Sequence, residues 1–365
     1  MTIFQDLILK VVFSLMIAFL AIFDYFRQTN EKNDKIEQYT NCLLICLPLY
    51  LLIGFFFGLI NGFRWDFLHR LIPIILVVCF VWICYDGILI LAMPWLRKKF
   101  SAFTCAYLWV LPNFLYAFTN IRFEDFHHWI TISIPRRMLI IFFIIWFLGF
   151  VLTAGKMIWN HHCFAKNLMK DAKLVTDSVT LVQFMRWKHH FDKENKIRLY
   201  RSPATKTPVS LGSNLPNMKV ILPEKEYSQQ ELEWIFRHEI THLRKNDCAL
   251  KFFLAMTNAI FWFIPFTWIA SKRLAEDQEL SCDEMVLAGC DREKRKEYAN
   301  LLLNTAGDSR GFSTCLSSTG ESMRYRLKHI VNPEFHGGIH NILLITICIV
   351  IMFTFVFSIE INVIL

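Results

Sequence analysis

The sequence predicts a multi-pass α-helical membrane protein that carries a cytoplasmic α+β domain. Three observations predict it. Long apolar runs fill the first half of the chain. Lys and Arg gather in short links beside them. A polar stretch of short β-rich pieces and one capped helix then precedes a last apolar run. Composition agrees: 55% of the 365 residues are hydrophobic and 19% charged, more apolar than a soluble domain of this length. The formal charge of +8 shows no single basic stripe, so direct contact with nucleic acid is not expected.

Crossing a bilayer takes ~20 mostly apolar residues. Runs at about 4–23, 42–60, 71–93, 101–118 and 138–158 qualify. The first carries Asp6 before Lys10 and no A-x-A-like site, so it reads as an uncleaved anchor. Pro112 and Asn113 interrupt the fourth, which neighbouring helices must then cover. The link Trp95-Leu-Arg-Lys-Lys-Phe has three cations and no acid, so it faces the cytoplasm. Alternation from there puts the N-terminus and residues 119–137 outside and the stretch after Lys156 inside. The eleven cysteines form no C-x-x-C pair and read as reduced, buried thiols.

Residues 159–250 read as soluble. A mixed helical piece at about 164–190 is followed by strand-like pieces at Ile197–Tyr200, Pro208–Leu211 and Lys219–Leu222. The last of these offers an edge for an extended peptide. Ser228-Gln-Gln-Glu231 is a capping-box signature and opens a helix to about Lys245. An apolar segment at 251–270, weakened by Asn258 and Pro265, precedes an acidic helical stretch at 271–289. Residues 306–321 read as loop, Glu321–Val331 as helix and 341–359 as a span. The expected division is a transmembrane domain of about five spans (1–158), a cytoplasmic domain that includes the membrane-associated segment 251–270 (159–340), and a C-terminal transmembrane helix (341–365).

The capped helix carries the chemistry. His238 and His242 are four apart and share a helical face, so both rings can reach one metal ion. Glu239 stands beside them, able to take a proton from a water held there and return it to a leaving amine. This is the H-E-x-x-H spacing of zinc peptidases. The bland alternative is two histidines on a helix surface. Against it stand the independent cap, the apolar flanks Trp234, Ile235, Phe236, Ile240 and Leu243, and carboxylates downstream. A catalytic zinc takes three protein ligands and keeps one position open. In Ala275-Glu-Asp-Gln-Glu-Leu-Ser-Cys-Asp-Glu284, Glu279 can ligate the metal while Asp283, one turn on, hydrogen-bonds a ligand histidine. Spacing leaves Glu276 open as the ligand. Otherwise Glu276, Asp277 and Glu284 are expected on a solvated face. The histidine pairs at 127/128, 161/162 and 189/190 read as interfacial or surface residues, not ligands.

Glu231-Leu-Glu-Trp-Ile-Phe-Arg-His-Glu-Ile-Thr-His-Leu-Arg-Lys-Asn-Asp247 resembles the BlaR/MecR-type membrane peptidases. Phe261-Trp-Phe-Ile-Pro-Phe-Thr-Trp268, Glu279-Leu-Ser-Cys-Asp283, Val286-Leu287 and Arg324-Tyr-Arg-Leu-Lys-His-Ile330 are similar to further blocks of that family. The resemblance covers about 197–331. It implies a gluzincin-like zinc metalloprotease domain, with Zn2+ on His238, His242 and Glu279 and with Glu239 as general base. It also implies antirepressor signalling in a bacterial cell membrane: cleavage of a cytosolic repressor protein and, in cis near 306–321, of the chain itself. No S-x-x-K, S-D-N or K-T-G occurs. The C-terminal penicillin-binding sensor domain is therefore expected to be lacking, through truncation or in a sensorless branch.

His242 and Glu279 flank the segment 251–270 yet must meet one ion. That segment is therefore expected either to dip into the membrane and return or to be a buried helix of the protease domain. Expected partners are membrane lipid and the repressor; a homodimer is allowed. Both termini are expected outside. The competing readings are a membrane quality-control or processing zinc protease and a non-catalytic receptor or scaffold with a structural metal.

Overall fold

The computed structural model describes residues 3–29, 65–112, 130–189, 197–212, 218–306, 320–332, 339–356 and 359–364. The apolar run expected at 42–60 lies outside them.

Helix α1 (Ile3–Thr29) turns Ile17, Ala18, Ala21 and Tyr25 inward at helical spacing and leaves Leu15, Met16, Phe19 and Phe23 exposed. Helix α2 (Trp65–Leu96) contains Leu76–Leu96, a stretch long and apolar enough to cross a membrane. Helix α3 (Ala102–Val110) is capped by Ser101, whose hydroxyl accepts from the Thr104 amide, and is buried along its length. It ends before Pro112, where the sequence predicts an interruption; residues 113–118 are outside the described set. Strand β1 (Ile130–Pro135) leads into α4 (Arg136–Lys170), which continues without a break past residue 158.

The next elements form a mixed sheet. Strands β2 (Lys173–Leu174), β3 (Arg198–Ser202), β4 (Val209–Leu211) and β5 (Lys219–Pro223) lie in the order β2-β3-β5-β4. Strand β5 runs parallel to β3 and antiparallel to β4. The edge role expected for Lys219–Leu222 is therefore incorrect: β5 is a central strand, hydrogen-bonded on both sides, and the edge beyond it belongs to β4. Its composition says so in hindsight, because Val220, Ile221 and Leu222 are all fully buried where an edge strand alternates. Between β2 and β3, helix α5 (Ser178–Lys188) starts at Asp177, whose carboxylate accepts from the Thr180 amide.

Helix α6 (Gln229–Lys245) opens with the complete capping box: Ser228 accepts from the Glu231 amide, and Glu231 accepts from the Ser228 amide. It ends at Asn246, the described non-glycine residue with positive φ (52°), a conformation that Asn tolerates better than most residues. Helix α7 (Asp247–Ile260) follows at once. The chain then turns through Phe261–Ile264 and returns as α8 (Pro265–Val286), with Pro265 at its start, where its missing N–H costs nothing. Segment 251–270 is thus a helical hairpin, and the break falls at Pro265. Asn258 instead accepts from the Ser271 hydroxyl on the opposite leg. Helices α9 (Arg292–Ala306), α10 (Gly320–Val331) and α11 (Ile339–Val356) complete the helical part. Strand β6 (Ile359–Ile364) pairs in parallel with β1.

Two main cores result. One joins α1, α2, α3, α4, the α7–α8 hairpin and α11; the other joins the sheet to α5, α6, α9, α10 and the C-terminal part of α8. Helix α8 belongs to both. The tip of its hairpin is gripped by α4. The Trp146 indole donates to the Ile260 carbonyl and the Trp262 indole to the Trp146 carbonyl. Gly149 makes the approach possible, since a Cβ there would lie 2.1 Å from the Trp262 ring. Gly149→Val therefore overpacks a held indole and should cost ~1–3 kcal/mol in thermal unfolding. That loss should vanish on a Trp262→Ala background, because the two changes share one contact. An additive pair would refute the contact.

Candidate metal centre

The αL turn at Asn246 governs the local geometry. It stops α6 one turn after His242 and brings Asp247 back beneath it. The His242 Nδ1 hydrogen-bonds the Asp247 carboxylate at 2.6 Å. Gln278 and Lys245 hold the same carboxylate. The other imidazole is held from α9. The Tyr298 hydroxyl lies 2.8 Å from His238 Nδ1 and donates its proton to Asp283 at 2.7 Å. A hydroxyl with its one proton spent must accept, so His238 Nδ1 is the donor. Both rings then carry their hydrogen on Nδ1 and turn bare Nε2 atoms toward each other, 3.0 Å apart.

Glu279, one turn before Asp283 on α8, meets this pair. Its oxygens lie 3.6 Å from His238 Nε2 and 3.6 Å from His242 Nε2. Arg326 from α10 braces both carboxylates. It donates from Nε and Nη2 to Asp283 at 2.8 and 2.9 Å and sits 3.3 Å from Glu279 through Nη1. The two Nε2 atoms are thus 3.0 Å apart, and each lies 3.6 Å from one oxygen of Glu279, Oε2 for His238 and Oε1 for His242. A tetrahedral ion with bonds of ~2.0–2.1 Å sets its ligand atoms ~3.3 Å apart, so this set could hold zinc. The cluster His238, His242 and Cys282 also keeps its ligand atoms within 4.8 Å of one another. There, however, the Cys282 sulfur approaches His238 at Nδ1, 3.4 Å away, and donates to the His238 carbonyl.

The electrostatics favour a cation at this point. Burial works against a charged His238, but Cys282 and Glu279 outweigh it and push its pKa up to about 10. His242 moves the same way, well above its ordinary value, for the same reasons together with Asp247. Burial would raise Glu279; His242, His238 and Arg326 hold it well below the usual carboxylate range. With both Nδ1 atoms already donating, an added proton has only the Nε2 gap to occupy. That gap is where a metal ion fits.

The structure gathers His238 and His242 on α6 with Glu279 and Asp283 on α8; Glu239 is buried on α6, next in sequence to His238. Two expectations need correction. Asp283 does not bond a histidine directly; its oxygen is 3.7 Å from His238 Nδ1 and reaches it through Tyr298. The carboxylate in direct contact with a histidine is that of Asp247. Glu276, Asp277 and Glu284 do not form a solvated face. Asp277 is fully buried, paired with Arg97 at 2.8 Å and with the Trp109 indole at 2.9 Å. Glu276 meets Arg97 and Arg273. Glu284 accepts from the Ala102 amide at the start of α3 and from His329. These acids dock α8 onto the α2–α3 corner. Asp247, Tyr298 and Arg326 were missed as site residues. Asp247 was visible as the end of the H-E-x-x-H tail and Arg326 within the late basic block; Tyr298 had no local signal.

The family described as BlaR1 peptidase M56 matches residues 125–330. Among curated proteins, the chain is 27% identical over 209 residues to the regulatory protein BlaR1 of Bacillus licheniformis, a match covering 57% of this chain and 34% of that protein. It is 26% identical over 121 residues to the methicillin resistance mecR1 proteins of Staphylococcus aureus and Staphylococcus epidermidis, covering 30% of this chain and 20% of each of theirs. The chain therefore spans about a third of the first relative and a fifth of the others. With the family match running over more than half of its length, and with the histidine, glutamate and aspartate blocks of that match gathered in one buried centre, the protein belongs to the BlaR1 peptidase M56 family.

Proposed function

We propose that this chain is an integral-membrane zinc endopeptidase in signal transduction, cleaving a cytosolic transcriptional repressor and itself. One observation carries the reading: two bare Nε2 atoms and a carboxylate converge within 3.0–3.6 Å, each fixed by its own partner. Zinc is the ion expected for two imidazoles, one carboxylate and an open fourth position. His238, His242 and Glu279 would hold it. Glu279 is preferred over Cys282 because one of its oxygens faces each Nε2, whereas the thiol meets His238 at Nδ1. When bound, zinc supplies Lewis acidity toward water and the scissile carbonyl. Glu239, next to His238, takes the proton from the attacking water and delivers it to the departing amine. Asp247 and, through Tyr298, Asp283 keep both imidazoles in the metal-binding tautomer.

The short edge strand β4, one strand out from β5 and beside α6, is the place where an extended substrate adds to the sheet. The Bacillus licheniformis relative is named a regulatory protein, which supports a signalling role. The stretch proposed for self-cleavage, near 306–321, joins in sequence α9, which carries Tyr298, to α10, which carries Arg326. The parallel pairing of β1 with β6 supports one common side for Ile130–Pro135 and Ile359–Ile364, the outside in this topology.

Chelation should abolish hydrolysis of a peptide library and of the candidate repressor, and zinc should restore it. Glu239→Gln should keep zinc and lower the rate ~10²–10⁴-fold, and should also stop any self-shortening of the purified chain. Hydrolysis that survives both treatments would overturn the proposal. Tyr298→Phe and Asp247→Asn should each weaken zinc binding ~10–100-fold in competition with a chelating dye, with helicity unchanged. Unaltered affinity in both variants would remove the tautomer argument.

A further inference from the structure

Three helices carry independent depth markers. Helix α4 is apolar through 138–155, between Arg137 and Lys156, a length of ~27 Å that matches a hydrocarbon core ~30 Å thick. Its midpoint falls between Trp146 and Gly149, and these are the residues that hold the α7–α8 turn. Helix α2 ends its apolar stretch at Leu96, just before Arg97-Lys-Lys99. Arg97 pairs with Asp277, which therefore stands at the same level. From Pro265 to Asp277 is ~18 Å of helix, and from Lys251 to Ile260 on the other leg ~14 Å. All three markers put the turn about half a core thickness below the Arg97 level.

The turn is also furnished for a place without water. The Ile260 carbonyl accepts from the Trp146 indole and the Trp262 carbonyl from the Trp268 indole. The Phe261 carbonyl accepts from the Ile264 amide and the Ile264 carbonyl from the Thr267 hydroxyl. A turn in water has no need of indole donors. In hydrocarbon each unpaired carbonyl costs several kcal/mol. The polar side chains between the legs, Asn258 and Ser271, pair with each other. Exposed side chains on the legs include Phe252, Trp268 and Ile269. Exposed Lys272 and Arg273 lie near the Asp277 level, within reach of the boundary by snorkelling.

We propose that the α7–α8 hairpin is re-entrant: its Phe261–Ile264 turn sits at the bilayer midplane, its outer face is covered by lipid acyl chains, and the metal centre opens at the inner membrane surface. Glu279 follows Asp277 by ~3 Å of helix. The bond to be cut is therefore presented against the lipid surface, not out in the cytosol. This rests on the reading that the chain spans the membrane, and the experiment separates the two.

Full-length protein in phosphatidylcholine nanodiscs would carry photoreactive benzoylphenylalanine at position 269 on the hairpin, at 144 on the exposed face of α4, or at 226 on the soluble domain. Mass spectrometry would then read lipid adducts after illumination. The expected result is adducts at 144 and 269, those at 269 on mid-chain carbons, and none at 226. Adducts at 144 without any at 269, or only headgroup adducts at 269, would overturn the re-entrant hairpin and leave the spanning reading intact. No adducts at either 144 or 269 would overturn both.

Discussion

Two imidazole nitrogens face each other at 3.0 Å, each on a ring whose Nδ1 is already engaged elsewhere. Everything around the site enforces this. Asp247 and Tyr298 occupy the Nδ1 atoms, so neither ring can turn its lone pair elsewhere without losing a buried bond. In the neutral rings these are two acceptors, which repel at that distance in a low-dielectric interior. A proton or a metal ion between them relieves this, and Glu279 stands beside the gap with its charge held on by His242, His238 and Arg326. The capping box, the αL residue Asn246 and the docking of α8 all serve to keep this small region of negative potential in place.

Helix α8 links that region to the rest of the molecule. One face carries Glu279 and Asp283 toward α6; another carries Glu276, Asp277 and Glu284 toward the α2–α3 corner. Burying Asp277 is costly in itself and is offset by Arg97 and the Trp109 indole. In return the helix has one rotation and one height, and the position of Glu279 follows from them. Its far end is fixed again, by the indoles at the hairpin tip. A displacement of α2 or α4 relative to α6 would therefore reach the metal centre through a single rigid helix.

The parts legible in the sequence were those with local causes. The capping box follows from Ser228 and Glu231 three residues apart, the shared face from His238 and His242, and the hairpin break from Pro265. The central place of β5 was not legible, because strand order depends on pairing between segments and its run of buried residues was read as an edge. The acids of α8 were misread for a related reason. Asp277 looks solvated until Arg97 and Trp109 are brought to it from about 170–180 positions away. Tyr298 stands in a helix of otherwise ordinary polar composition, and nothing nearby marks it as the bridge between Asp283 and His238. Asp247 was in view but without a role, since its contact with His242 exists only after Asn246 takes a left-handed conformation.

The central claim is that the ion is held by two imidazoles and a carboxylate, although a cysteine lies as close to the histidines. X-ray absorption at the zinc edge on the full-length protein tests it directly. The expected shell is two imidazole nitrogens and oxygen donors at ~2.0–2.1 Å and no sulfur. A sulfur scatterer at ~2.3 Å would put Cys282 in the place given to Glu279 and contradict it.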